Sequence, residues 1–316
     1  MDPRGTSLVV VSALSFGVMA ILAKGAGATE AGVATVLAGR FLLAAILFSV
    51  IAAVRGVRLT HVPRRPALAV LTLGGGLYAL ESTVYFSALT HIDASIASLL
   101  LCTYPALVLA LAVALRRESA DARRVGALVL AIGGALLVLA GGAGGSMSTL
   151  GIVLTLVSTL LYAVYVTLAD TVTTRLDPIT FGALLCTGAA ITITLGGAAS
   201  GRLRPTALAD TAVVTDVVLM ATISTVLAVA AFFAGMRRIG ASGASIVAGV
   251  EPVFTVVLAA ILLGETLTAV QLVGGAIVLS AVLLVRAPPA DSLPGDGAAA
   301  LPAPAAPARA LTLEPA

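Results

Sequence analysis

The stretch SIVAGVEPVFTVVLAAILLGE, residues 245–265, decides how the chain is read. Its first twenty residues are apolar or small except for one adjoining pair, Glu251-Pro252. A run of about 20 apolar residues is the length that crosses a bilayer's hydrocarbon as a helix. A charge at the centre of such a span costs roughly 2.5–3.5 kcal/mol. A proline there removes a backbone donor and displaces the carbonyl four residues back. A carboxylate and a helix breaker therefore stand side by side where hydrocarbon tolerates neither without a compensating structure.

The remainder of the chain has the same character. Of 316 residues, 59% are hydrophobic and 10% charged, against about a quarter charged in soluble domains. No fold of this size hides that much apolar surface from water, so the solvent for most of the chain is lipid. Cys102 and Cys186 both sit within apolar runs and read as small packing residues. Two histidines, His61 and His91, exclude a histidine-rich metal centre. The first apolar run starts near residue 7 and is followed by more of its kind, so it reads as a retained span.

Ten such runs are present, at 6–24, 33–54, 66–89, 93–115, 124–141, 149–170, 178–200, 212–236, 241–263 and 268–285. With a cytoplasmic N-terminus, the inner segments carry fourteen arginines and the outer segments carry Lys24, Arg202 and Arg204. That asymmetry places both termini in the cytoplasm. After Arg286 the chain turns Pro/Ala-rich, with half of the fourteen prolines; residues 287–316 read as a disordered tail.

The chain is also written twice. YFSALTHIDASIASLLLCTYP (85–105) matches FFAGMRRIGASGASIVAGVEP (232–252) at seven of 21 positions without a gap, ending on Pro105 and Pro252. Gly5–Lys24 matches Gly151–Asp170 at eight of 20, including Ser12 with Ser158. Each half thus holds five helices. Five is odd, so the second half enters the membrane inverted, a common construction for secondary transporters. The expected architecture is an all-α integral membrane protein, with ten transmembrane helices in two inverted five-helix repeats, 1–145 and 146–286.

The segments RFLLAAILF, IDASIASLLLCTYP and IGASGASIVAGVEPVFTVVLAAILLGETLT resemble the EamA-type repeats of the drug/metabolite transporter superfamily over about residues 5–285. Where that family often carries Trp in the first helix of each repeat, this chain has Phe16 and Tyr162. The resemblance implies a cavity between the halves and export or exchange of small metabolites.

Intramembrane polar residues mark candidate sites. Arg40 and Glu81 each lie roughly 10–12 Å below the outer ends of their helices at 1.5 Å per residue. They are expected to approach one another, either as a gate for the two ends of a solute or as a structural pair. Tyr78, Glu81 and Tyr85 share a helical face, as do Tyr162 and Tyr165; Tyr104 is the remaining tyrosine. These side chains read either as aromatic core or as a cavity wall. Pro105 and Pro252 are expected to kink their helices. The kink is duplicated while the charge is not, because Tyr104 occupies the place of Glu251. Glu251 reads either as a structural acceptor or as a proton or amine site. SIAS, SGAS, Gly133-Gly134, Gly274-Gly275 and Gly249 are expected to allow close helix packing, and Glu265 to cap the short helix that follows it.

Other classes fit less well. Gly240-Ala241-Ser242-Gly243 resembles the serine motif of rhomboid-type intramembrane proteases, but His91 lies toward the opposite side of the membrane from Ser242. A channel is expected to show rings of like residues, which fused, inverted halves do not provide. A non-transport membrane protein has no need of a mid-depth carboxylate. No P-loop, GxGxxG or HExxH motif occurs. The expectation is a non-enzymatic secondary transporter of amino-acid-like or amphipathic solutes in a bacterial inner membrane. It is expected to have no cofactor, metal or nucleic-acid partner, with proton coupling and a homodimer left open.

Overall fold

A computed structural model describes residues 2–27, 29–57, 59–114, 122–141, 148–173 and 176–286. The expected disordered tail, Glu118, several loop arginines and the side chain of Ser242 lie outside the described set.

Hydrocarbon leaves no water to satisfy backbone groups, so apolar runs become helices. The chain folds as α1 (Pro3–Gly27), α2 (Gly32–Val54), α3 (Arg64–Leu73) continued by α4 (Ala79–Leu89), α5 (Ala94–Leu101), α6 (Tyr104–Ala114) and α7 (Ala122–Gly141). The second half continues as α8 (Thr149–Thr173), α9 (Pro178–Ala199), α10 (Thr211–Ala221) continued by α11 (Ala228–Ala248), α12 (Glu251–Leu263) and α13 (Ala269–Arg286). Ends carry recognisable punctuation. Asp177 accepts from the backbone N–H groups of Ile179 (3.0 Å) and Thr180 (3.3 Å), with Pro178 in the first turn. Inside the spans, hydroxyls such as those of Thr83, Thr155 and Thr187 donate to the carbonyl four residues back and so need no water. Among the described residues, seven helices are long and apolar enough to cross a membrane; three shorter apolar ones cover Val125–Gly141, Glu251–Leu263 and Ala269–Leu284.

Two features recur in both halves. A short π-helical segment joins α3 to α4 at Gly74–Tyr78, and another joins α10 to α11 at Thr222–Leu227. Such wide turns free backbone groups and often mark functional places. Both copies also carry a full break of the helix beside the proline. α5 stops before Cys102-Thr103 and α6 restarts at Tyr104-Pro105; α11 stops before Gly249-Val250 and α12 restarts at Glu251-Pro252. The backbone N–H groups of Ala106 and Leu107 turn to Thr103, as those of Val253 and Phe254 turn to Val250.

One expected boundary moves. The predicted loop between the eighth and ninth runs is helical, because α11 continues past Arg237 and Arg238 to Ala248. In the first half, Asp93 adopts an extended conformation (φ −66°, ψ 143°) and starts a new helix. Gly240 stands in that register in the second half, inside α11.

The halves interlock. α1 packs on α11 and α12, α8 on α4, α2 on α9, and α7 on α13. Glycine permits the closest approaches. A Cβ on Gly74 or Gly188 would collide with the backbone carbonyl of Leu185 or Leu71, and one on Gly134 would sit 2.8 Å from the Gly274 oxygen. Gly133, expected to serve packing, faces open space instead. On α2, Leu42, Ile46, Val50 and Val54 are exposed along one stripe, while Arg40, Phe41, Ala44 and Phe48 are buried on the other. The apolar outer stripe suits lipid and the inner face suits a core.

At the end of the bundle where α1 finishes and α5 begins, three distant segments meet. Lys24 Nζ lies 2.9 Å from Asp93 Oδ1 and 2.8 Å from Glu265 Oε1. The Glu265 carboxylate also accepts from Ala94 N–H (2.9 Å), Ser95 N–H (2.9 Å) and Ser95 Oγ–H (2.7 Å). Glu265 thus caps α5 rather than the helix that follows it. Gly264, at φ +66°, supplies the left-handed turn that throws it back. Burial alone would raise the Glu265 carboxyl. The hydrogen bonds from Lys24, Ser95 and Ala94 outweigh burial and hold it below the ordinary carboxylate range.

Two outcomes follow. Gly188→Ala should lower thermal stability in detergent by roughly 1–3 kcal/mol through overpacking, while Gly133→Ala should be neutral; equal melting temperatures for the two would contradict the packing. A carboxyl with a depressed folded-state value stabilises above its unfolded value and loses that contribution as pH falls through the folded one. Glu265→Gln should therefore melt lower than wild type at pH 7, by about 1.5 kcal/mol for hydrogen bonds lost to a charged group. The gap should close below the ordinary carboxylate range; a gap constant from pH 7 to 3 would be inconsistent with it.

Candidate functional site

A cavity of about 380 Å³ lies between the halves, and most of its chemistry comes from residues singled out by sequence. α1 lends Phe16 and Met19, α2 lends Arg40, and the π segment with α4 lends Tyr78, Glu81 and Tyr85. Tyr104 comes from α6, Tyr162 and Tyr165 from α8, and Glu251 with Pro252 from α12. All five tyrosines of the chain line this one space. Pro105 does not line it and acts only at the helix break beside Tyr104.

Arg40 is buried to 2% exposure and is held by groups that leave its charge intact. Its Nε donates to Thr225 Oγ1 at 3.2 Å. Its guanidinium carbon sits 4.7 Å from the Phe41 ring centre and 5.5 Å from that of Phe86, within cation–π range. Thr225 can accept because its own hydroxyl proton is spent on Met220 O at 2.9 Å, a carbonyl five residues back in the π segment.

Glu81 is 5% exposed. Ser158 Oγ donates to its Oε1 at 2.9 Å and Ser82 Oγ to its Oε2 at 3.3 Å. The expected approach of Arg40 to Glu81 takes a different form from a direct pair. Both charges face one cavity, yet none of the ion pairs among the described residues joins them. The physical reason is that Thr225, the two aromatic rings and two serines already occupy their near neighbourhoods.

The tyrosines form a connected wall. Tyr78 stacks on Tyr165 with ring centres 5.1 Å apart and meets Phe41 edge-on at 5.4 Å. Tyr165 lies 5.8 Å from Tyr162, which meets Tyr104 edge-on at 4.8 Å. Tyr85 stands apart from this row, beside Phe86 at 6.5 Å. Edge-on and offset rings at these distances are favourable geometries, so the wall is preformed.

Glu251 is partly buried and opens the first turn of α12. That position answers why a carboxylate precedes Pro252. The break at Gly249-Val250 creates a helix N-terminus within the span, and the dipole of α12 favours negative charge there. Thr255 Oγ–H lies within reach of both Glu251 O (3.3 Å) and Gly17 O (3.4 Å), tying the new helix to α1.

Ser158, Ser82 and Thr225 went unremarked as site residues by sequence reasoning. A signal existed: Ser12 and Ser158 are repeat mates on apolar helices. Ser12 Oγ donates to Ala228 O at 2.7 Å, and Ala228 stands in the repeat register of Glu81. The same serine therefore meets a backbone carbonyl in one half and a carboxylate in the other. Among the described residues, no cluster of His, Cys, Asp and Glu forms a metal-binding group.

The model of the EamA-like transporter family matches twice, over residues 3–140 and 149–287. The uncharacterized transporter YcbK of Bacillus subtilis (strain 168) is 26% identical over 209 residues, covering 64% of this chain and 67% of that protein. A solved crystal structure shares the fold with a TM-score of 0.64 at 17% identity, covering 90% of this chain and 96% of the other. Two repeats, together spanning nearly all of the described chain, identify this all-helical membrane protein as a member of the EamA-like transporter family.

Proposed function

We propose that the chain is a secondary transporter for small solutes bearing both an anionic and a cationic group on an apolar or aromatic body. The solutes are amino-acid-like or amphipathic, and are exported or exchanged across a bacterial inner membrane by alternating access. The carrying observation is that Arg40 and Glu81 face one cavity, each satisfied by neutral partners and neither neutralised by the other. A solute carboxylate matches Arg40, a solute ammonium matches Glu81, and the row from Tyr78 to Tyr104 accepts the body between or beside them. Closing an empty cavity around two separate charges is costly. A zwitterion offsets both charges at once, so the loaded carrier closes more readily than the empty one.

In this reading ten helices cross the membrane as two inverted five-helix repeats, 1–145 and 146–286, with the shorter helices completing the count. Both termini face the cytoplasm, following the arginine distribution. Residues 287–316 form a cytoplasmic tail. The two halves rock about the cavity, and the duplicated breaks at Cys102-Thr103 and Gly249-Val250 let α5/α6 and α11/α12 bend as units. Glu251, at the head of α12 and in contact with the cavity, is the site through which proton movement couples to the motion.

The test is an untargeted metabolite profile of medium and cytosol from cells overproducing wild type, Glu81→Gln, Arg40→Gln or Glu251→Gln at matched membrane abundance. Losing a hydrogen bond to a charge costs about 1.5–3 kcal/mol, or roughly 10–150-fold in selectivity. Wild type should move zwitterions outward. Glu81→Gln should disfavour solutes with an amine, and Arg40→Gln those with a carboxylate. Identical profiles from all four strains would sink the reading.

A further inference from the structure

The cavity and the Lys24 end of the bundle are separate places in every helix that visits both. α1 lines the cavity from Ser12 to Ala20 but carries Lys24 one turn beyond. α5 enters the cavity only at Ser98, one turn past Ala94 and Ser95. α12 lines it at Glu251, Pro252 and Thr255, most of a helix away from Glu265. From Ser98 the lining runs the other way, to Phe48, Phe181 and Phe232. The space stops short of the Lys24 end, and what closes that end is charged.

The closure joins the halves. Lys24, Asp93 and the first turn of α5 belong to the first half, and Glu265 to the second. Glu265 uses both oxygens, Oε1 on Lys24 and Ala94 N–H and Oε2 on the N–H and hydroxyl of Ser95. Lys24 Nζ is further held by Asp93 and, at 3.4 Å, by Ile92 O. The Glu265 side chain is only 6% exposed, against 27% for Lys24.

We infer that Glu265, clamped on Lys24 and the N-terminus of α5, is a latch that holds this end of the cavity shut and releases whenever the cavity opens toward it. The inference rests on the alternating-access reading above. A contact that breaks and remakes in each cycle cannot be a large apolar interface, because exposing that to water is uphill by its whole area. Charged hydrogen bonds at a membrane edge are exchanged for water at small net cost. The two states then remain within a few kcal/mol, as a carrier requires. Glu265 thus controls access without touching solute.

The experiment uses the full chain with Cys102→Ser, Cys186→Ser and Met19→Cys, which leaves one thiol in the cavity wall. A membrane-impermeant maleimide is applied to right-side-out and to inverted vesicles. With the latch intact, labelling should be slower from the Lys24 side. Glu265→Gln should raise the ratio of Lys24-side to opposite-side labelling about tenfold, the effect of ~1.4 kcal/mol on the equilibrium. Lys24→Met should move the ratio the same way by less, because the α5 N–H groups keep their acceptor. If Glu265→Gln does not fold, Lys24→Met and Ser95→Ala carry the test. An unchanged ratio in folded variants overturns the latch. No solute is needed, so this failure is separable from failure of the transport reading, in which neither wild type nor any variant is ever labelled from the second side.

Discussion

Inside hydrocarbon every polar group must be satisfied by the protein itself, and the structure follows from that constraint. It explains why apolar runs are helical and why threonine and serine hydroxyls fold back on carbonyls of their own helices. It also sets the terms on which two charges can be buried. Arg40 persists because a threonine and two aromatic faces accept it. Glu81 persists because two serines donate to it. Thr225 is available to Arg40 because the π segment gives its hydroxyl proton a carbonyl at Met220. Backbone irregularity and buried charge are thus one arrangement: the first supplies the partners that the second requires.

Duplication separates architecture from chemistry. The parts present in both halves are mechanical: the π segments, the breaks before Tyr104-Pro105 and Glu251-Pro252, and the serines on α1 and α8. The parts present once carry charge. Ala228 stands where Glu81 does, Tyr104 where Glu251 does, and Cys186 where Arg40 does in the register of Ser12 and Ser158. The Lys24–Glu265 contact belongs with the mechanical parts, since it lies beyond the cavity and ties its two halves at one end.

Much of this was legible in the sequence, because lipid imposes strong patterns. Spans followed from run length, and the predicted limits of α2 and α9 lie within one residue of the observed ones. Arg40, Glu81 and Glu251 stood out from the cost of burying polar groups in lipid, while the tyrosines read equally as aromatic core or cavity wall until the cavity placed all five on its lining. What escaped depends on partners distant in sequence. That Arg40 rests on Thr225 depends on a π turn in α10–α11, and no local pattern announces one. That Glu265 caps α5 depends on a fold-back of some 170 residues, whereas the sequence offered only the adjacent helix. The helix through Arg237 and Arg238 was missed because two basic residues and two nearby glycines read as a loop.

The central claim is that Arg40 and Glu81 bind opposite ends of one solute. It is tested most directly by equilibrium binding to purified wild type, Arg40→Gln and Glu81→Gln. The ligands are the exported solute, its carboxamide and its deaminated analogue. The account predicts that removing the carboxylate weakens binding to wild type and to Glu81→Gln but not to Arg40→Gln, and that removing the amine shows the converse pattern. If each ligand change costs the same in all three proteins, the two residues do not read the two ends, and the claim is wrong.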